Sequence, residues 1–221
     1  MPRESFDQHL AQLQDEVFVL GSMVDKGLAR AMKALRERDL KLAQQVKDED
    51  TAIDQKRLDI EEKAVELIVT QQPVAGDLRL IVSILAIIFE LERIGDHARG
   101  IATITIMIGD EPPLKPLIDL PRMADRTRDM LRRSLETFVN RDAETAKKIS
   151  AEDDEVDYLY DQVYRELLTF MIEDPRTITR ATRLIWVAHN LERSADRVTN
   201  ICERVVYTVT GRMEEIGASH F

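Results

Sequence analysis

Cysteine, aromatic residues, glycine and proline are all scarce in this sequence of 221 residues. The one cysteine, Cys202, excludes an intramolecular disulfide and a thiolate metal cluster, and it fits a reducing compartment. Aromatic residues make up 5%, and eight glycines with seven prolines are few for a protein of many strands and turns. The longest apolar run, LIVSILAIIF at 80–89, is far shorter than the ~20 residues that span a bilayer. The N-terminus lacks the apolar segment of a signal peptide, so we expect a cytoplasmic protein.

Aliphatic and charged side chains, in contrast, are abundant. Hydrophobic residues make up 44% and charged residues 33%, a combination typical of amphipathic helices. The chain has 41 acidic and 31 basic residues, which gives a net charge of -10. This charge disfavours binding to a nucleic-acid backbone, because that binding relies on clustered lysine and arginine. We therefore expect an all-α protein with no nucleic-acid partner.

Proline positions divide the chain into segments, because a proline inside a helix removes a hydrogen bond and clashes with the preceding turn. Between the prolines, apolar residues recur every three or four positions, as Leu10, Leu13 and Val17 do in the first segment. Asp39 and Asp142 are predicted N-caps, whose carboxylates accept hydrogen bonds from the first free amides of a helix. The pattern predicts six long helices, at 4–37, 40–71, 76–109, 119–139, 142–173 and 177–212.

The two halves of the chain repeat each other in sequence. A constant offset of 103 relates Asp39, Ala43, Val46, Asp50, Ile53 and Asp54 to Asp142, Ala146, Ile149, Asp153, Val156 and Asp157. An offset of 100 relates Leu91, Glu92, Arg93 and Asp96 to Leu191, Glu192, Arg193 and Asp196. We interpret the repeat as two tandem three-helix bundles, at 1–110 and 122–221, joined by a proline-rich connection at 111–121.

Each half carries two acidic pairs with a spacing of four residues, which places both carboxylates of a pair on one helix face. The candidate site residues are Asp50, Asp54, Glu92, Asp96, Asp153, Asp157, Glu192 and Asp196. In each half the two pairs lie at about 20 residues on either side of a predicted turn, so an antiparallel hairpin brings them to the same height within ~3 Å. Four carboxylates beside an apolar core require neutralisation by protons, by basic side chains or by cations.

An all-oxygen set favours hard cations such as Mg2+, Mn2+, Ca2+ or iron, so the spacing predicts a metal site in each half. The Glu-x-x-His element of di-iron bundles is absent, which argues against oxidase chemistry. The alternative is that these acids are surface groups paired with arginines, for which Arg57, Arg93, Arg165 and Arg193 are available. His97 and His189 are expected at the surface or as capping residues, and Trp186 and Met171 in the core.

The chain resembles the PhoU family, the accessory and regulatory proteins of bacterial phosphate uptake. The resemblance covers essentially the whole chain and rests on the duplicated unit, on QQPVAGDLRLI at 71–81, and on ELERIGDHARGIA and NLERSADRVTNICE. In that family the Glu/Asp-x-x-x-Asp motifs bind multinuclear metal clusters, which implies iron, zinc or manganese at the eight acids. Gly100 stands where many members have asparagine, so the resemblance supports the first site less than the second.

The resemblance also implies a function. It implies a negative regulator of the phosphate-starvation response that connects the ATPase subunit of the phosphate ABC transporter with the sensor histidine kinase of the phosphate regulon. Such a protein would meet the inner membrane only through its partners, and we expect it to form a homodimer. The alternative from a different class is a carboxylate-bridged metalloenzyme or metal-storage bundle, in which the acids are the working centre.

Overall fold

A computed structural model describes residues 3–216 of the chain. Across that part all regular structure is helical, as predicted, and no strand is present. The seven α-helices are α1 (Arg3–Glu37), α2 (Leu40–Gln71), α3 (Ala75–Ile108), α4 (Asp119–Asn140), α5 (Ala143–Ser150), α6 (Asp153–Glu173) and α7 (Ile178–Thr210), with one 3-10 turn at Pro175–Thr177. The all-α architecture of three long helices in each half is therefore confirmed.

The fifth predicted helix is divided into α5 and α6 by a turn at Ala151 and Glu152. Arg133 of α4 holds this turn through two hydrogen bonds of 2.8 Å to the carboxylate of Glu152. The new helix then begins with three acidic residues at 153–155. Negative charge in a first turn is favourable because it faces the positive end of the helix dipole. The uninterrupted apolar pattern did not indicate this break.

The two predicted N-caps are present. The side chain of Asp39 accepts a hydrogen bond of 2.9 Å from the amide of Leu42. Asp142 accepts one of 3.0 Å from the amide of Thr145 in the same way. Each cap satisfies an amide that has no partner inside its own helix, and so fixes where the second helix of each half begins.

Helices α3 and α7 form the centre of the molecule and run antiparallel. His97 Nδ1 lies 3.2 Å from Ser194 Oγ, and Thr208 donates a hydrogen bond of 2.8 Å to Ser83. These two contacts share one antiparallel register, in which residues near 95 of α3 lie opposite residues near 195 of α7. Because equivalent residues of the two halves are 100 apart, this register relates the halves by an approximate twofold axis. The four acids on α3 and α7 therefore lie at one height, near the middle.

The core continues from one half into the other, so the division at 111–121 is a sequence repeat rather than a break in packing. Helices α1 and α4 form the second seam between the halves, where Arg128 binds Asp25 at 2.8 and 3.1 Å. A Cβ on Gly21 would lie only 2.2 Å from Leu135 Cδ1, so glycine allows these helices to approach closely. In the chain from 3 to 216, none of the helices is long and apolar enough to cross a membrane.

Candidate functional site

Two helical hairpins carry the eight candidate acids. In the first half Asp50 and Asp54 lie on α2 and face Glu92 and Asp96 on α3. In the second half Asp153 and Asp157 lie in the first two turns of α6, opposite Glu192 and Asp196 on α7. We call these groups the first and the second acidic cluster. Each hairpin brings its two pairs close enough for acids of one helix to raise the pKa of an acid on the other.

The second acidic cluster is buried and poorly compensated. Asp153 is 7% exposed and Glu192 is 8% exposed. Among the described residues, Asp153 Oδ1 and Glu192 Oε2 are buried and have no hydrogen-bond partner. Burial, together with the charges of Asp157, Asp196 and Glu192, raises the pKa of Asp153 to about 7. Burial and the charge of Asp196 likewise raise the pKa of Glu192 to about 7.

Few basic groups approach the second acidic cluster. Arg193 donates a hydrogen bond of 2.7 Å to Asp196. His189 Nδ1 lies 3.4 Å from Glu192 Oε2, too poorly aligned to satisfy that oxygen by hydrogen bonding. Burial and the charge of Asp196 also raise the pKa of Asp157. The cluster therefore favours any positive charge that can reach it, either protons or a cation.

The first acidic cluster differs because an arginine enters it. Arg99 Nε lies 2.8 Å from Asp50 Oδ2, and Arg99 Nη2 donates a hydrogen bond of 2.5 Å to Asp96. Burial still raises the pKa of Asp50, which is 7% exposed, but the Arg99 charge opposes that rise. Burial and the charge of Asp96 raise the pKa of Glu92, and Arg93 opposes the rise. The Arg99 guanidinium thus bridges carboxylates of α2 and α3 that would otherwise repel each other.

Arg99 was not among the partners expected from the sequence, although its position three residues after Asp96 on one helix is a usable signal. Of the arginines that were expected, Arg193 binds its cluster and Arg93 makes only long contacts, of 3.8 Å to Glu92 and 4.0 Å to Asp96. Arg57 binds Glu61 instead and stacks over the ring of Phe89, at 4.8 Å from its centroid. Arg165 binds Asp161, outside both clusters.

The region between the two clusters is held by polar contacts across α3 and α7. Asn200 donates a hydrogen bond of 3.2 Å to Glu90 Oε2, and Arg197 approaches the same oxygen at 3.4 Å. Burial and the charges of Arg197 and Arg193 lower the pKa of His97 to about 4. His97 is therefore a neutral, partly buried group at neutral pH, and Asn200 ties the two halves together.

The two clusters fit a metal ion to different degrees. Within residues 3–216, no three His, Cys, Asp or Glu side chains are placed to ligate one ion as they stand, so side chains would have to rotate. The second cluster has the chemistry that a hard cation needs, because two of its carboxylate oxygens are buried and unpaired. In the first cluster Arg99 already supplies positive charge. Metal binding at the eight acids stays a prediction.

Comparison with known proteins gives consistent results along the whole chain. The family model described as PhoU domain matches residues 19–105 and again residues 120–205. A protein of Aquifex aeolicus named phosphate-specific transport system accessory protein PhoU homolog is 38% identical over 206 residues, which are 93% of each chain. A protein of Clostridium acetobutylicum with the same name is 35% identical over 98% of this chain and 99% of its own.

Solved structures agree with these sequence matches. The crystal structure of PhoU from Pseudomonas aeruginosa superposes with a TM-score of 0.89 at 36% identity, over 94% of this chain and all of that one. The phosphate transport system regulatory protein PhoU from Streptococcus pneumoniae superposes with a TM-score of 0.88 at 31% identity, over 95% and 99%. The two matched segments coincide with the two repeats found in the sequence. This chain belongs to the PhoU family.

Proposed function

We propose that this protein is an accessory and regulatory protein of phosphate uptake. The observation that carries the proposal is the end-to-end match to relatives with that name, over 93% of both chains in one case and 98% and 99% in another. A deletion of the gene should raise expression of phosphate-starvation genes in phosphate-rich medium, and the wild-type gene should restore repression. Unchanged expression in the deletion strain would contradict a negative regulatory role.

In its finer form, the proposal makes the protein an adaptor. It binds the ATPase subunit of the phosphate ABC transporter and the sensor histidine kinase, holds the kinase inactive when phosphate is plentiful, and reaches the inner membrane through these partners. A surface of suitable chemistry lies on the α2–α3 hairpin. Leu58 and Val65 on α2, and Val82 and Phe89 on α3, are between 43% and 48% exposed, and each pair is seven residues apart.

This spacing forms an outward apolar stripe, which is what a partner helix needs for docking. Val65→Glu with Val82→Glu should abolish binding of the purified ATPase subunit or kinase in a biolayer assay. Ile172→Glu, at an exposed apolar residue on α6, is the matched control. Equal binding by the stripe variant and the control would exclude the stripe. Light scattering on the same samples tests the homodimer that we also propose.

We further propose that the acidic clusters bind iron, zinc or manganese, with the second cluster as the stronger site. Asp153, Asp157, Glu192 and Asp196 would hold the ion there, and the buried, unpaired oxygens of Asp153 and Glu192 support the assignment. A bound cation would offset much of the repulsion among these carboxylates and thereby join α6 to α7. In the first cluster Asp50, Asp54, Glu92 and Asp96 would hold the ion, and Asp50 and Asp96 would have to exchange their Arg99 contacts for metal.

Elemental analysis of untagged protein, purified without chelator, tests this metal proposal. Asp153→Asn with Glu192→Gln should lose more metal than Asp50→Asn with Glu92→Gln. Retention of the same metal content by both variants would refute the assignment. Turnover of dioxygen or peroxide by iron-loaded protein would favour the metalloenzyme alternative instead.

A further inference from the structure

A cleft of about 540 Å³ opens on one side of the crossing between α3 and α7. Lys47 of α2, Asp96, Arg99 and Gly100 of α3, and Trp186 and Asn190 of α7 line it. Its volume lies within the range of about 300 to 1,000 Å³ that small-molecule sites occupy. It borders the first acidic cluster through Asp96 but extends away from it, towards the second half of the chain.

The cleft lies at positions where the two repeats carry different side chains. Asn200 is the counterpart of Gly100 at the offset of 100, and its side chain fills the related place by donating a hydrogen bond of 3.2 Å to Glu90. Gly100 has no side chain to do the same. Asn190, the counterpart of Glu90, instead donates a hydrogen bond of 2.7 Å to Trp186 O on its own helix. The approximate twofold symmetry is therefore broken here, because the cleft is open beside Gly100 and the related place beside Asn200 is filled.

Trp186 supplies the aromatic wall of the cleft. It is the only tryptophan in the chain and is 49% exposed, which corrects the expectation that it lies in the core. Met171, expected there as well, does pack against the core. The counterpart of Trp186 in the first half is Ala86. An exposed indole at the edge of a cavity offers a face on which a planar ring can stack, and this face is present only once.

The polar groups of the cleft have free hydrogen-bonding capacity. In the described part of the chain, the half-buried Lys47 forms no ion pair, and Asn190 Oδ1 accepts no hydrogen bond. Arg99 binds Asp50 and Asp96 through Nε and Nη2, which leaves Nη1 for another acceptor. Arg99 shares its positive charge between Asp50 and Asp96, whereas the Lys47 ammonium has no acidic partner of its own among the described residues. The cleft thus combines cationic donors, one amide acceptor and one aromatic face.

We propose that this cleft binds an adenine mononucleotide or a closely similar anion. Such a ligand has one planar ring system that carries an amino group. The ring stacks on Trp186, its amino group donates to Asn190 Oδ1, and Lys47 with Arg99 Nη1 binds the phosphate. This site goes beyond the proposed role in phosphate uptake and does not depend on it. No bond is made or broken, and binding at the α3–α7 crossing gives the ligand contact with both halves.

The single tryptophan makes the test direct, because emission excited at a wavelength selective for tryptophan reports only Trp186. Titration of the full-length protein with adenosine 5′-monophosphate should give a saturable change in that emission. Lys47→Ala should weaken binding about tenfold or more, since it removes a charged partner of the phosphate. Lys41→Ala, at an exposed lysine of the same helix, should leave the affinity unchanged.

Gly100→Asn provides a second and independent test. A Cβ at this position would lie 2.8 Å from Asn190 Oδ1, so the variant displaces the acceptor assigned to the amino group of the ligand and introduces the residue of the other repeat. We expect binding to be lost while the helical circular dichroism spectrum is retained. Titration with inorganic phosphate and with adenosine separates the two parts of the ligand, and both should bind more weakly than the nucleotide. No saturable change with the nucleotide, equal affinity in Lys47→Ala, or phosphate binding as tight as the nucleotide would each overturn the proposal.

Discussion

Replacement of Asp153 by asparagine should stabilise the metal-free protein at pH 8. Burial raises the pKa of this carboxyl to about 7 from its ordinary value of 3.8, so the folded state holds a proton more tightly than the unfolded chain does. The stability linked to this proton is fully present below about pH 4 and is lost as the pH rises to about 7 and beyond. Asparagine keeps the size of the side chain but never ionises.

The magnitude follows from the shift and from the position of the residue. The pKa of Asp153 rises from 3.8 to about 7, and each pH unit corresponds to ~1.4 kcal/mol. The ionised carboxylate therefore destabilises the folded state by at most ~4 kcal/mol. Water reaches part of the cluster, which reduces this to ~2 kcal/mol. Asp153 also begins α6, where its charge favours the helix by ~0.3–1 kcal/mol. The energy gained by removing the buried charge exceeds the energy lost with the dipole interaction. The free energy of unfolding should therefore rise by ~1–2 kcal/mol at pH 8.

Urea denaturation in the presence of chelator, at pH 4.5 and pH 8, measures this difference. Asp154→Asn is the matched control, because Asp154 is exposed in the same first turn, and its loss removes a dipole interaction together with only the weakest of the repulsions that raise the pKa of Asp153. The gain from Asp153→Asn should shrink at pH 4.5, and excess Mn2+ should reverse it if metal binds the wild-type cluster. A variant that is less stable at pH 8 in chelator, or a difference that does not change with pH, would refute the reasoning.

Three further substitutions test the packing and charge of the fold. Gly21→Val should destabilise by ~1–3 kcal/mol in urea denaturation, because its Cβ would overlap Leu135, and ~0.5 kcal/mol of gained helix propensity does not compensate. Asp142→Ala should lower the free energy of unfolding through loss of an N-cap, and an unchanged midpoint would exclude that capping role. Arg99→Gln should cost ~1–3 kcal/mol at pH 7, because it leaves Asp50 buried without its cation, and less at pH 4, where that carboxyl binds a proton more readily.

Local periodicity explains why most of the helical architecture could be predicted. The caps at Asp39 and Asp142 and the proline breaks act within a few residues of themselves, so their effects can be read from the sequence. The break after Ser150 could not, because the turn at Glu152 is held by Arg133, which lies on another helix. The acidic residues at 153–155 suit a helix start, but the apolar pattern of residues 142–173 continues through the turn.

The acidic clusters also combine features that the sequence predicts with features that only the tertiary structure decides. Four-residue spacing and equal distances from a turn bring the acids of each hairpin together, since both follow from helix geometry. The contact of Arg99 with the acid of the other helix could not be read from spacing, because Arg99 reaches Asp50 on α2 only after the hairpin has closed. In the second half of the sequence, no arginine lies at the corresponding distance from either acidic pair.

By itself, the sequence determined the helical class, the duplication, and the membership of eight acids in two matched hairpins, because all three are periodic along the chain. Tertiary structure alone decided that the core continues through both halves, that Trp186 is exposed, and that a cleft opens beside Gly100. These features depend on how α3 crosses α7, and that crossing is set by contacts between residues about a hundred positions apart, such as Ser83 with Thr208 and Glu90 with Asn200.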